Sequence, residues 1–193
     1  MDYEKEMRLL HLTQQVYSSL ISVSNKLQTA GDRYCTPFTS RQYMTVLAIL
    51  HLPEEETTIV NIANKLGSTK QNITQLVSSL EKKGSVAIGP SKKDKRAVNV
   101  RVTELGMQTL LSCAGKISVD LMADLFADFD EKELELLWRL QKKLYAFDGV
   151  AMDGLEENVK VPFSLSEQEI QTALERFSQR RNNPMPYQTS PIE

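Results

Sequence analysis

The sequence is poor in the residues that build metal sites and disulfide frameworks. Its 193 residues include two cysteines and two histidines, and no CxxC pattern accompanies Cys35 or Cys113. A structural zinc site or a disulfide framework needs clustered ligands, so we expect neither. The chain also lacks a Gly-rich phosphate loop, a GxSxG elbow and an HExxH pattern. We therefore expect no metal, no cofactor and no enzyme activity.

Long apolar runs are absent as well. No stretch approaches the roughly 18 to 20 apolar residues that a membrane-spanning helix needs. The N-terminus, MDYEKEM, has neither a basic n-region nor an apolar h-region. These absences predict a cytoplasmic protein without a membrane partner. The 41% hydrophobic content is enough for a sizeable core, and 193 residues fit one domain, or one domain with an appendage.

The chain has a small negative net charge, but one segment of it is strongly positive. Residues 65–101 contain nine basic residues against Glu81 and Asp94, a net charge of +7, whereas the whole chain carries −2 and the remainder therefore about −9. Such a distribution is the electrostatic footprint of a polyanion partner. The basic residues of the segment are Lys65, Lys70, Lys82, Lys83, Lys92, Lys93, Lys95, Arg96 and Arg101.

The first part of the basic segment has the pattern of an amphipathic helix. Its apolar residues recur at i, i+3, i+4 and i+7, which predicts one buried stripe formed by Ile73, Leu76, Val77 and Leu80. Thr69 is suited to cap its start and Gly84 to stop its end. The other face can hydrogen-bond throughout and carries no acid; it comprises Lys70, Gln71, Thr74, Gln75, Ser78, Ser79 and Lys82.

The elements on either side of this helix predict a winged helix-turn-helix. A shorter helix over residues 59–66 has the same apolar spacing and ends in a tight turn at Gly67, with Thr58 before it either an N-cap or a scrap of strand. After Gly84, valines and Ile88 alternate with polar residues around the charged tip SKKDKR, which predicts a β-hairpin. A plain solvated loop is the alternative for the tip when it is considered alone.

Long helices flank the winged unit, so the predicted fold is mainly α with a small β-hairpin wing. We predict a helix over residues 2–30 ended by Gly31, a polar loop over 32–38 that holds Cys35, and a second helix from Thr39 or Ser40 to about Leu52. Further helices are predicted between residues 104 and 148. The long helices carry more apolar surface than one chain easily covers, which favours a homodimer.

The composition shifts after Gly149, so we divide the chain into residues 1–148, with the DNA-reading unit over 58–103, and an extension over 149–193. The extension is predicted to comprise a linker, a helix over about 165–180 and a disordered tail. Two overlapping capping boxes precede that helix. Its apolar stripe, predicted to dock on the same or the partner subunit, consists of Leu165, Ile170, Leu174 and Phe177.

Four fragments in order between residues 58 and 106 resemble the multiple-antibiotic-resistance regulator (MarR) family: TIVNIANKLG, TKQNITQLVSSLEKKG, DKRA and VTELG. The resemblance implies a homodimer that binds a near-palindromic operator on double-stranded DNA, and family members often respond to small phenolic or lipophilic ligands or to oxidation. It also implies that the recognition helix begins at Thr69 and that the wing acid and arginine are Asp94 and Arg96. The chain departs from the family pattern after about Gly149.

Pattern and resemblance together predict a DNA-binding surface. Glutamine can bind adenine through two hydrogen bonds, and serine and threonine can donate to phosphates. The alternative is a helix face that is merely solvated. Asp94 is predicted to hold Arg96 in place through a salt bridge, with direct contact as the alternative. The predicted DNA-binding residues are Ser68, Thr69, Lys70, Gln71, Thr74, Gln75, Ser78, Lys92, Lys93, Lys95 and Arg96.

The function predicted from these features is transcriptional regulation, with repression as the expected sign. A lipophilic effector would bind between the first helix, the second helix and the helix after the wing. One alternative is a winged-helix module that binds another protein and has no operator. Another is a redox sensor based on Cys35, whose pKa the nearby Arg33 would lower. Cys113 is predicted to be a buried, inert thiol.

Overall fold

A computed structural model of the chain describes residues 1–91, 98–152 and 166–183. Within these ranges it confirms a mainly helical fold with one antiparallel hairpin. None of the described helices is long and apolar enough to cross a membrane. The elements are α1 (Tyr3–Cys35), α2 (Ser40–His51), α3 (Ile59–Lys65), α4 (Lys70–Lys82), β1 (Val86–Pro90), β2 (Val98–Val102), α5 (Glu104–Gly115), α6 (Met122–Leu125), α7 (Glu131–Tyr145) and α8 (Glu167–Asn182), with 3₁₀ turns at Glu54–Glu56 and Ala146–Asp148.

The core forms around α2, which packs against α1, α3, α4, α5 and β2. The apolar stripe predicted for α4 is turned towards it, and three of its members, Ile73, Val77 and Leu80, are almost completely buried. Because apolar burial dominates the energetics of packing, this stripe decides which side of α4 faces outward. Other large core residues are Tyr43, Val46, Ile49, Ile62, Val100 and Leu110.

Local capping signals set the ends of the helix-turn-helix, as predicted. The Thr58 hydroxyl accepts a hydrogen bond from the Asn61 amide at 3.3 Å, and the Thr69 hydroxyl accepts one from the Asn72 amide at 3.2 Å. Gly67 has φ +57° in the turn between α3 and α4, where residues with a side chain are strained. The turn therefore fixes where α4 begins.

In the hairpin, Ile88 lies opposite Val100, but the predicted alternation fails at Asn99. Asn99 is buried and Val98 is 42% exposed. The reason is a third piece of extended chain: Thr58 bridges Asn99, and the Asn99 amide donates to the Glu54 carbonyl at 2.9 Å. Thr58 therefore both caps α3 and forms an isolated β-bridge, so both alternatives that the sequence left open are present.

The prediction that Gly31 ends the first helix is wrong. α1 continues to Cys35, so residues 32–35 of the predicted loop are helical. Gly31 is buried where α1 crosses the start of α2, and a Cβ there would lie 2.8 Å from the Ser40 Cβ. Glycine is needed at this position for the close approach of two helices, and not for a turn.

The predicted helix after the wing is present but interrupted. Between α5 and α6 the backbone is a π-helix over Lys116–Leu121. Near the start of α5, Gly106 lies against the carbonyl of Ser85, where a Cβ would approach the oxygen to 2.0 Å. The chain that enters β1 therefore packs directly on α5, which fixes the wing relative to the long helices.

The extension helix α8 packs against the π-helix and α6 of its own chain. Its N-cap is Ser166 with Glu169, one of the two predicted capping boxes. The predicted docking stripe does not make this contact within the chain, because Ile170 and Leu174 are 46% and 63% exposed and Phe177 is half-buried. Docking of the stripe on a partner subunit stays a prediction. Leu165, most of the predicted linker and the predicted tail lie outside the described residues.

Charged side chains make the contact between α8 and the rest of the chain. Arg180 donates from Nε and Nη2 to the two carboxylate oxygens of Asp124, both at 2.7 Å, and Arg176 pairs with Asp120. The Asp124 side chain is 8% exposed. It also accepts a hydrogen bond from the Tyr34 hydroxyl near the end of α1. One carboxylate thus joins α1, α6 and α8.

This contact shifts the pKa values of the groups involved. The hydrogen bonds from Arg180 hold the pKa of Asp124 below its usual value, against the opposing effect of burial. Burial raises the pKa of Tyr34, and the hydrogen bond to Asp124 raises it further. The ionised form of Asp124 is therefore stabilised by folding.

Asp124→Asn is expected to lower the free energy of unfolding at neutral pH by about 1.5–3 kcal/mol, the usual contribution of hydrogen bonds to a charged group. The folded-state pKa lies below the unfolded value, so the stabilisation is present above the unfolded pKa, about 3.9, and is lost as the pH falls through the folded-state pKa. Melting temperatures across the acid range should therefore converge for variant and wild type. Exposed Asp128 provides the control Asp128→Asn, and a deficit independent of pH would contradict the assignment.

Candidate nucleic-acid interface

The outward face of α4 brings together the central residues of the predicted DNA-binding set. Gln71, Thr74 and Gln75 are exposed, while Ser78 is half-buried. The Thr74 hydroxyl donates to the Lys70 carbonyl at 2.8 Å, so its proton is engaged within the helix. The two glutamines thus have the exposure that contact with base edges requires, since glutamine presents a donor and an acceptor together.

The N-terminal end of α4 carries the rest of the described set. Thr69 and Lys70 are exposed, and Ser68 is half-buried. The backbone N–H groups of the first turn lack helical acceptors, and the helix dipole adds positive potential there. This end can therefore accept a phosphate, with Lys70 supplying a full charge.

Two residues that the sequence placed with the basic, polar surface instead contact the protein. The Ser79 hydroxyl accepts a hydrogen bond from the Gln42 side-chain amide at 3.0 Å. The Lys83 ammonium donates to the Pro37 carbonyl and to Gln42 Oε1, both at 2.8 Å. The sequence spacing could have indicated that Lys83 points inward, because Lys83 continues the i, i+4, i+7 series of Leu76 and Leu80.

The wing strands are described, but the tip is not. Lys92, Lys93, Asp94, Lys95 and Arg96 lie outside the described residues, so their predicted contacts remain predictions. At the base of β2, the Arg101 guanidinium forms an ion pair with Glu54 at 3.0 Å. Part of the positive charge counted from the sequence is thus offset by the turn before α3.

The structure contradicts the basis of the redox prediction for Cys35. This residue is the last of α1, and 1% of it is exposed. Burial raises the pKa of its thiol to about 12, with the neighbouring Cys113 adding to the effect. A thiol with this pKa is protonated at neutral pH and is a poor nucleophile. Cys113 is buried, as predicted, and its thiol donates to the Cys35 carbonyl at 3.0 Å.

A groove of about 700 Å³ lies behind the recognition helix. Its walls come from α1, α2, the turn between α3 and α4, and the beginning of α4, and Gln141 of α7 also lines it. The sequence predicted an effector site between α1, α2 and the helix after the wing; α1 and α2 line this groove, and no described residue of α5 does. The apolar lining consists of Leu20, Val23, Leu27, Met44, Leu66, Ile73 and Leu76.

In the part of the chain that the structure describes, no three His, Cys, Asp or Glu residues lie close enough together to hold a metal ion. What the geometry does assemble is two helices joined by a glycine turn, followed by an antiparallel hairpin. This arrangement is that of a winged helix-turn-helix protein.

Comparison with known proteins finds similarity to one family of regulators. Residues 36–97 match the profile of the MarR family. The HTH-type transcriptional regulator PapX of Escherichia coli is 29% identical over 141 residues, which are 70% of this chain and 82% of PapX. The chain is therefore similar to the MarR family over the matched segment, where the sequence fragments indicated the resemblance.

Solved structures show the same fold. A mutant of Escherichia coli MarR in complex with operator DNA has a TM-score of 0.60 and 24% identity, covering 67% of this chain and 93% of that chain. The S. aureus MepR–DNA complex has a TM-score of 0.59 and 22% identity, covering 67% and 96%. The fold is that of the MarR-family transcriptional regulators.

Proposed function

We propose that this protein regulates transcription by binding double-stranded DNA as a homodimer through α4. The observation that carries the proposal is the division of α4 into two faces. Ile73, Val77 and Leu80 are buried, whereas Gln71 and Gln75 project outward without an acid beside them. The similarity to regulators solved with DNA supports it.

In the proposed complex, α4 enters the major groove. Gln71 and Gln75 meet base edges, where a glutamine can hydrogen-bond an adenine through both amide atoms. Lys70 and the first turn of α4 hold a phosphate and set the position of the helix. Arg96 would reach the minor groove, where narrow A·T-rich segments attract arginine, and Asp94 would orient it.

Gln71→Ala and Gln75→Ala are expected to cost about 1–3 kcal/mol at the operator and to leave binding to random DNA nearly unchanged. Arg96→Ala should weaken binding to most sequences and reduce the slope of log affinity against log salt by about one. Asp94→Ala should have a milder effect of the same kind. Titrations of operator and random duplexes at several salt concentrations measure both quantities.

Exposed Gln168 on α8 supplies the matched control Gln168→Ala, which should bind both duplexes as wild type does. If the glutamine variants of α4 lose no discrimination and Arg96→Ala binds normally, this surface does not read DNA. A winged-helix module that binds another protein would then be the better description.

The dimer is proposed from two helices whose apolar sides are uncovered in one chain. The structure describes all of α1, and the buried residues of this helix are Ala30, Gly31 and Cys35. Its exposed apolar residues include Leu12, Val16 and Val23. α7 also contributes no residue to the described core, although exposed Leu136, Leu140 and Leu144 form an apolar stripe along it. A second copy of the chain is the proposed cover for both helices, and it sets two α4 helices at the spacing of successive major grooves, about 34 Å.

Val16→Glu is expected to shift the protein towards monomer, because a charge placed in an apolar interface loses its hydration. Gln14→Glu adds the same charge about 200° around the helix from Val16, and should leave the association unchanged. Sedimentation velocity over a range of concentrations distinguishes the two. A wild-type protein that sediments as a stable monomer would rule out the dimer.

We further propose that the regulator is a repressor and that a small lipophilic effector releases it by binding the groove behind α4. The groove is lined by Leu27 of α1 and by half-buried Leu76 of α4, so an occupant would contact the proposed dimer helix and the recognition helix together. A ligand changes operator affinity only through its different affinity for the two arrangements.

Leu27→Trp should fill part of the groove and abolish the response of operator binding to a panel of small phenols and aromatic acids. Leu111→Trp is the control, since Leu111 has nearly the same exposure as Leu27, 40% against 39%, and does not line the groove. Operator affinity is measured with and without each compound. A compound that binds the groove tightly and leaves operator affinity unchanged would show that the groove is not the switch.

A further inference from the structure

Two adjacent lysines at the end of α4 have different environments. Lys82 is exposed at the end of the helix. Lys83, its C-cap residue, directs its ammonium group back to the turn between α1 and α2. There the ammonium donates to the Pro37 carbonyl and to Gln42 Oε1, and lies 6.0 Å above the ring of buried Phe38.

The acceptor Gln42 is built into the start of α2. It is 5% exposed, and its side-chain oxygen also accepts a hydrogen bond from the Thr39 amide at 3.1 Å, which completes the capping box of α2. Its side-chain nitrogen donates to the Ser79 hydroxyl of α4 at 3.0 Å. One buried amide is thus bonded to the cap of α2 and to two residues of α4.

We propose that Gln42 and Lys83 are positioning residues for the recognition helix: they set operator affinity without touching DNA, by holding the C-terminal end of α4 against the turn that follows α1. This assignment rests on the proposed function, because it concerns the orientation in which α4 meets DNA.

The physical basis is the contrast between directional and non-directional contacts. The apolar stripe of α4 holds the helix on α2, but hydrophobic contacts tolerate small rotations and slides. Hydrogen bonds to an amide and to a lysine weaken steeply with misalignment, so they restrict where the helix end can lie. A charged donor makes each such bond stronger than one between neutral groups.

The hydrogen bonds that join Gln42, Lys83 and the Pro37 carbonyl, here called the node, also lie close to the end of α1. The Pro37 carbonyl lies two residues beyond the end of α1, the helix proposed to pair with a second copy. A shift of α1 therefore moves an acceptor of Lys83 directly. The node is a physical connection between dimer geometry and the end of the recognition helix.

The test compares the two lysines. Lys82→Ala should reduce the slope of log affinity against log salt by about one, as the loss of a phosphate contact does. Lys83→Ala should leave that slope unchanged and reduce affinity for the selected duplex roughly 2- to 30-fold relative to random DNA, the range for residues that act without touching a ligand. The probes are a duplex that the full-length wild-type protein enriches from a random-sequence library, and the unselected library.

Gln42 provides the second comparison. Gln42→Met removes both hydrogen-bonding atoms at similar volume and should reduce discrimination to about the same extent as Lys83→Ala. Gln42→Glu retains an oxygen for Lys83 and for the Thr39 amide, so it should restore most of the discrimination. Since the two residues act as one unit, the double variant Gln42→Met with Lys83→Ala should lose little more than either single variant.

Each remaining outcome overturns the assignment in a recognisable way. A slope reduced by one in Lys83→Ala would make Lys83 a phosphate contact. Lower melting temperatures with discrimination unchanged would make the node a purely structural contact. If wild type discriminates between the duplexes and neither variant differs from it, the positioning role fails while the proposed function stands. A wild-type protein that enriches no duplex from the library overturns both the positioning role and the proposed function.

Discussion

The burial of one apolar stripe determines how this molecule presents its surface. Ile73, Val77 and Leu80 of α4 are almost fully covered by the core. At about 1.5–3 kcal/mol for each large apolar side chain removed from water, their burial exceeds the roughly 1 kcal/mol that a single cap contributes. The stripe therefore fixes the rotation of α4, and the caps at Thr69 and Gly84 fix its length. Because Gln71 and Gln75 lie on the opposite side of the helix from the stripe, they face outward.

The extension is attached by a different kind of interaction. Its apolar residues Ile170 and Leu174 stay exposed, and the contact depends on Arg176 and Arg180 with the nearly buried Asp120 and Asp124. Removing charges from water is costly, so such a contact requires good geometry and several hydrogen bonds, as at Asp124. An ionic contact can be specific without being strongly stabilising. It also responds to pH, which an apolar contact would not do.

Local signals in the sequence were sufficient for the ends of α3 and α4 and for the exposed face of α4, because caps and periodicity depend on neighbouring residues. The failures all involve distant segments. Gly31 had the sequence signature of a helix stop, but it is required because Ser40 comes close. Asn99 broke the strand alternation because Glu54 and Thr58 offer partners. The burial that raises the pKa of Cys35 likewise comes from elements that pack around it.

In the candidate site, too, the features that depend on local sequence could be predicted and those that depend on distant residues could not. The outward positions of Gln71 and Gln75 could be predicted from the 3.6-residue period, since the opposite stripe was clear. Lys83 was counted as part of the basic surface because charge was summed by residue type. Its position on the stripe indicated an inward direction, but its partners, Pro37 and Gln42, are about forty residues away in sequence, with separations of 46 and 41. No local pattern identifies such partners.

The last turn of α1 and the loop that follows it contact both the elements that hold the extension and the end of α4. A 33-residue helix is about 50 Å long, and α1 buries residues near one end, Ala30, Gly31 and Cys35. The rest of the helix extends away from the core, so α1 is attached to the core mainly through this end. Tyr34 connects the same turn to Asp124 and thereby to α8, while Pro37 connects the following loop to α4. The extension and α4 are therefore both connected to one short segment, residues 34–37, at the end of the helix that is proposed to pair with a second copy.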